Sequence, residues 1–291
     1  MSGTGTRFNQ FLSNIQLNTD QISDAQTKYD GVCKKIHDHY YSPIYNGSTK
    51  LLIGSYGKNT AIAPPSDIDV IFKIPGAKFE KYDTMPGNGQ SKLLQDVRYI
   101  LLERYPTTII KSDRNVVFVN FNSYAVEVVP AFELTNGNFY MPDSYGNGSW
   151  KTSSPKSEKD VIVLSNKKTN GNTVSLIKML KAWRNNSNVP IKSILIELIA
   201  IEFLNQWVYS DKSSTYYDLM IREFYKYLLG CRNRSILMPG ISELIDCGDK
   251  WVSKAESALN RSVTACKFES ENKTLESSLE WRKIFGERYP L

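Results

Sequence analysis

Two aspartates one residue apart, Asp67 and Asp69, interrupt the apolar run "SDIDVIF". Residues i and i+2 of a strand project from the same face, roughly 7 Å apart along it. Two carboxylates there repel one another, and they lose hydration if they line a cleft. A divalent cation with oxygen ligands relieves both costs. Mg²⁺ fits well, because it takes one or two protein carboxylates and completes its shell with phosphate oxygens and water. The plainer alternative is an edge strand from which both side chains reach solvent.

The upstream residues favour the metal. Gly54 and Ser55 follow the apolar "KLLI", where a strand should give way to a turn. Glycine lets the backbone approach closely, and an amide with a serine hydroxyl offers donors to phosphate. The segment "YGKNTAIAPP" is long enough to return the next strand beside the first, so that donors and carboxylates face one triphosphate. A third carboxylate is expected from a neighbouring strand. Glu127 lies between Val126 and Val128 in "SYAVEVVPAFE", with Glu133 the weaker rival. A charge among valines is unusual; the alternative is a strand glutamate paired with a lysine.

The elements that must hold these groups follow from hydrophobic periodicity. Residues 6–41 carry apolar side chains at helical spacing and predict one or two long helices, with "NTDQ" as a cap for the second. His37 and His39 lie here, on what reads as a solvated helix edge. Residues 51–140 read as strands with one amphipathic helix, "SKLLQDVRYILLERY", and a hairpin turn at "KSDRN". From about Ser157 the stripes are helical to the end, "SELIDCGDKWVSKAESALN" included. The Gly/Ser/Pro-rich stretch from Met141 to Glu158 is the expected boundary. The division is thus residues 1–156, an N-terminal helix with the catalytic core, and residues 157–291, a helical domain closing the cleft. The fold class is α+β, a sheet backed by helices.

Composition excludes several classes. The chain has 291 residues, 41% of them hydrophobic, which suffices for one large core or two modest ones. Thirty-six Lys and Arg against 30 Asp and Glu give a net charge of +6, too small for a non-specific nucleic-acid coat. No apolar run is long enough to span a bilayer and the N-terminus lacks a signal-peptide pattern, so a cytoplasmic protein with no membrane partner is expected. Cys33, Cys231, Cys247 and Cys266 are widely spaced and read as reduced, mostly buried thiols.

The Gly-Ser turn, the spaced Asp pair and an acidic residue on a later strand resemble the polymerase-β-like nucleotidyltransferase superfamily. "GSYGKNTAIAPPSDIDV", "VEVVPAF" and "LIKMLKAW" together most resemble the bacterial CD-NTases, relatives of cyclic GMP-AMP synthase that make cyclic oligonucleotide signals in anti-phage defence. The resemblance covers most of the chain. It implies a polymerase-β-like core, a mixed sheet backed by helices, with a long N-terminal helix and a C-terminal helical domain. It implies Asp67, Asp69 and Glu127 as catalytic metal ligands for two Mg²⁺ ions, with Mn²⁺ as a substitute. The superfamily's third carboxylate is most often Asp, so Glu127 adds a methylene. Lys181 in "LKAW" matches the position that contacts the donor triphosphate, against the alternative of a solvated helix lysine; Lys178 is left as that alternative. Ser193, well placed as a helix N-cap, is implied as a second phosphate contact beside Gly54 and Ser55. Glu197 is expected to pair internally, and Arg232 and Arg234 to touch nucleotide or lie in solvent.

The resemblance implies a cyclic di- or trinucleotide made from NTPs, with ATP one of them, and pyrophosphate released. It also implies a downstream effector that reads the product and a regulatory partner protein. No stable nucleic-acid partner is expected, and no Cys/His-rich insertion suggests activation by DNA. Both histidines lie in the N-terminal helices, which favours metal over histidine acid-base chemistry. The alternatives are the same fold making linear oligonucleotides or modifying RNA ends, and a catalytically silent nucleotide sensor.

Overall fold

The computed structural model describes residues 3–41 and 44–291. Two helices open the chain, α1 (Gly3–Asn14) and α2 (Thr19–Tyr40). The break between them is set by a capping box: Asn18 accepts from the Gln21 amide, and the Gln21 side chain accepts from the Asn18 amide. Then come β1 (Lys50–Leu52), the four-residue helix α3 (Gly54–Gly57), β2 (Ile68–Lys73), α4 (Phe79–Asp83) and α5 (Gly89–Arg104). Strands β3 (Ile109–Asp113), β4 (Val116–Asn120), β5 (Ala125–Glu133), β6 (Phe139–Asp143) and β7 (Ser149–Ser153) complete the main sheet. The second half holds α6 (Pro155–Lys168), α7 (Asn172–Asn186), α8 (Ser193–Gln206), α9 (Tyr217–Leu229), the small hairpin β8 (Ser235–Leu237) and β9 (Leu244–Asp246), α10 (Val252–Ser270) and α11 (Thr274–Phe285).

The seven-stranded sheet runs β1-β2-β5-β4-β3, with β6 joined to β5 and β7 to β6. Strands β2 and β5 pair parallel while the other described pairings are antiparallel. That central pair is apolar because helices cover it. Val32, Cys33 and Ile36 of α2 and Leu93, Leu94 and Val97 of α5 pack on Ile68, Val70, Phe72, Val126 and Val128. On the opposite face Ile71, Val129, Ala131 and Phe139 form a small cluster. A separate, larger core fills the second half around Trp183, Trp251 and Trp281; α1 contributes Phe8 and Phe11 to it, and Ile15 follows just past its end. The four cysteines are free, three of them buried.

The Gly/Ser/Pro-rich stretch after Met141 carries paired strands, β6 and β7, with Asp143 opposite Ser149, and α6 follows at Pro155. Two local expectations change. Within "SELIDC" the residues Leu244–Asp246 are strand rather than helix, because β9 pairs with β8 and Gly248, in the left-handed region at φ 60°, separates it from α10. His37 is buried, not solvated, with Nδ1 3.0 Å from the Thr49 hydroxyl and its ring stacked on Tyr41, whereas His39 is exposed. Among the described residues no helix is long and apolar enough to cross a membrane.

Candidate active site

The parallel register sets Asp69 of β2 directly beside Glu127 of β5. Asp67 stands one residue before β2, at its mouth, rather than inside the strand. Strand β1 returns antiparallel on the other side of β2, with Leu52 opposite Val70, and the Ile53 amide donates to the Asp69 carbonyl at 3.0 Å. The chain then turns through Gly54 at φ 57°. A Cβ on Gly54 would lie 2.0 Å from Asp69 Oδ2, and one on Gly57 would lie 2.2 Å from the Leu52 carbonyl oxygen. Glycine is thus required at both ends of α3, at the first by conformation as well as by space.

These residues line a cleft of about 350 Å³ whose far wall comes from the helical half, through Lys181, Arg184, Ser193 and Glu197. The carboxylate side is electrostatically strained. Burial, then the charge of Asp67, raises the Asp69 carboxyl above its ordinary range. Burial, then Asp69 and Asp67, pushes Glu127 up to about 7. Glu127 makes no ion pair among the described residues, whereas Glu133 pairs with Lys73 on the surface and lies outside the cleft.

The opposite wall is a closed ion network. Glu197 is 2% exposed and accepts from Lys181 at 2.8 Å and Lys58 at 3.0 Å. Lys181 also donates to the Thr60 hydroxyl at 2.6 Å, and Lys58 bonds Glu158 of α6 at 2.6 Å. Burial alone would neutralise Glu197, but the two ammonium groups hold its carboxyl below the usual range. Burial depresses the Lys181 ammonium, opposed by Glu197. Lys58, with two carboxylates, ends above its ordinary value despite burial. Such a network is satisfied only if all members are present.

Ser193 does not cap α8. It is the first helical residue, and Lys192 stands at the cap with no side-chain bond. Its hydroxyl accepts from the Arg184 guanidinium, which aims both groups into the cleft. Lys58, Thr60, Glu158 and Arg184 were not singled out by sequence. Arg184 lies three residues beyond Lys181 on the same helix, the one periodic signal that could have found it. Arg232 and Arg234 pair with Asp249 and Glu202, away from the cleft.

The donor chemistry fits a divalent cation. In and beside the cleft, Asp67, Asp69, Glu127, Glu158 and Glu197 face Lys58, Lys181 and Arg184, an excess of two negative charges. Among the described residues no Lys or Arg forms an ion pair with Asp67, Asp69 or Glu127, as Lys73 does with Glu133. Among the described residues no group of three or more His, Cys, Asp or Glu side chains is placed so that together they could hold a metal ion, Asp67, Asp69 and Glu127 included. An ion that draws remaining ligands from phosphate and water needs none.

Residues 1–166 match the Second Messenger Oligonucleotide or Dinucleotide Synthetase domain. The chain is 24% identical over 325 aligned residues to a probable cyclic nucleotide synthase of Bacillus cereus, covering 97% of this chain and 96% of that protein. It is 21% identical over 308 residues to a cyclic AMP-AMP-AMP synthase of an Acinetobacter species, covering 99% and 85%. The dinucleotide cyclase of Vibrio cholerae, solved in complex with GTP, superposes with a TM-score of 0.76 at 13% identity, covering 97% and 96%. The mixed sheet, its helical backing and the N-terminal helices are therefore the fold that the sequence implied.

Proposed function

Because the chain belongs to the Second Messenger Oligonucleotide or Dinucleotide Synthetase family, the bacterial CD-NTases, we propose that it joins NTPs into a cyclic di- or trinucleotide and releases pyrophosphate. The observation that carries this reading is one cleft with Asp69 and Glu127 in register on neighbouring strands, Asp67 and the Gly54-Ser55 turn beside them, and cationic side chains opposite. Those are the parts that phosphoryl chemistry needs: ligands for a hard cation, donors for a triphosphate, and fixed positive charge for the leaving group.

When bound, Mg²⁺ or Mn²⁺ on Asp67, Asp69 and Glu127, two ions in the full arrangement, would supply Lewis-acid activation of the acceptor hydroxyl and charge neutralisation at the pyrophosphate. The protein does the positioning. Gly54 leaves room for Asp69 while its neighbour Ser55 offers a hydroxyl to the donor phosphates. Lys181 and the Arg184–Ser193 pair hold the triphosphate from the helical side, so that the acceptor ribose oxygen, its proton released to solvent, attacks the α-phosphorus as the bond to the β-phosphate oxygen breaks and pyrophosphate leaves. Glu197 keeps Lys181 charged within a buried wall. A second transfer within the rebound linear intermediate closes the ring. We further propose that residues 157–291 act as the unit closing the cleft, and that the product signals to an effector in anti-phage defence.

The test is product analysis from the four NTPs with Mg²⁺, each omitted in turn. A small product resistant to phosphatase, absent with EDTA and from Asp67→Asn and Asp69→Asn variants, supports the reading. Extended RNA or phosphatase-sensitive linear products refute ring closure, and nucleotide binding without pyrophosphate release refutes catalysis.

A further inference from the structure

A partly buried cation stands just outside the catalytic cleft without a counter-charge. Lys178 lies three residues before Lys181 on α7, and burial is the sole cause that depresses its ammonium. It has no hydrogen-bond or ion-pair partner among the described residues. Lys181 is paired with Glu197 and Lys58 with Glu158 and Glu197, whereas the shallower Lys178 keeps its ammonium free for a ligand.

Lys178 opens onto a separate pocket of about 190 Å³, formed where the α1–α2 link and the first turns of α2 meet β1 and α3. The walls are apolar and aromatic, with Leu17, Leu52, Tyr29 and Tyr56, and Gln26 supplies an amide at the opening. The Tyr56 hydroxyl is buried with no hydrogen-bond partner among the described residues, on the side of Tyr124 and Asp67 rather than in this pocket, so Tyr56 gives the pocket its ring. Apolar walls with a few convergent polar groups are the ordinary form of a small-molecule site. One cation, with no acid to balance it, matches one negative charge; a dianion would leave charge uncompensated. Two tyrosine rings in the walls suit a flat ring.

We propose that this pocket binds a small aromatic monocarboxylate, its ring between the tyrosine and leucine walls and its carboxylate on Lys178. The occupant is placed to act on catalysis. Tyr56 directly follows Ser55 in α3, and Ala61 lines both this pocket and the catalytic cleft. A ligand bearing on Tyr56 therefore bears on the turn that carries Gly54 and Ser55. This coupling rests on the proposed function; the binding does not.

The experiment titrates nicotinate, salicylate and 4-aminobenzoate, with nicotinamide as the neutral control, into the full chain without NTP, by calorimetry and amide NMR. Saturable binding of at least one acid is expected, weakened at least tenfold by Lys178→Met and by Leu17→Trp, which fills the pocket, with nicotinamide at least tenfold weaker than nicotinate if nicotinate binds. Thermal unfolding of both variants checks that they remain folded, and Lys178→Met should keep wild-type turnover. Failure of all three acids to bind, or binding indifferent to Lys178→Met, overturns the site. The acid that binds should change the KM for NTP in the wild type and not in Lys178→Met; unchanged kinetics at saturation overturns the coupling. Saturable binding to a chain that turns over no NTP under any condition counts against the proposed function and leaves the site standing.

Discussion

Replacing Glu127 by Gln should stabilise the metal-free protein, and do so only where the carboxyl would be charged. Burial and the two neighbouring aspartates lift this group from an ordinary 4.5 to about 7. At about 1.36 kcal/mol per pKa unit that corresponds to about 3.4 kcal/mol. Glu127 is half-buried, so water screens much of it, and about 1–2 kcal/mol is the expected effect. The folded value lies above the unfolded one, so the folded state holds the proton more tightly. Stability is therefore full below about pH 4.5 and is lost as pH rises through about 7. Thermal unfolding in EDTA at pH 5 and pH 8 reads the difference. The melting temperature of Glu127→Gln relative to wild type should rise by roughly 2–3 °C between the two conditions, at about 2 °C per kcal/mol for a chain of this size. With Mg²⁺ and a non-hydrolysable NTP at pH 8 the order should reverse, because the wild type, with all three carboxylates, gains more of the ion's binding energy. An equal difference at both pH values, or a variant less stable in EDTA at pH 8, would show that Glu127 carries no such repulsion and that the three carboxylates do not share a field.

Three further outcomes follow from the same geometry. Glu197→Gln leaves Lys181 and Lys58 short of their shared counter-charge, so denaturant unfolding should show a loss of about 3 kcal/mol; a loss under 1 kcal/mol would mean that the network is not closed as described. Gly54→Ala would put a methyl 2.0 Å from Asp69 Oδ2, and turnover should fall at least 100-fold with unfolding still cooperative; near-normal turnover would remove Gly54 from the site. Ser193→Ala should cost α8 less than the ~1 kcal/mol expected of a lost N-cap, yet raise the KM for the donor NTP through Arg184; a stability loss with unchanged KM would restore the capping role.

The sheet-side half of the candidate site was legible because its residues break local rules. Two acids in an apolar run, a glycine where a strand must turn and a charge among valines are each anomalous within a window of a few residues. The opposite wall broke no such rule. Lys58 is one more lysine in a polar loop and Glu158 one more acid in a first helical turn; only folding, which brings α3, α6, α7 and α8 together, makes them partners of Glu197 and Lys181. Lys178 and Lys181 look alike on one helix, and their neighbours alone distinguish a paired cation from an unpaired one. Ser193 has the composition of a cap, but the chain enters α8 one residue earlier and frees its hydroxyl for Arg184. The Gly/Ser/Pro-rich tract after Met141 holds a hairpin formed by cross-strand pairing, which no local propensity encodes. Local patterning thus determined which acids need an explanation, while parallel pairing of β2 with β5, strands separated by α4, α5 and two further strands, decided that Asp69 and Glu127 stand side by side. Long-range register depends on how whole faces bury against helices, and that is a property of the assembled core.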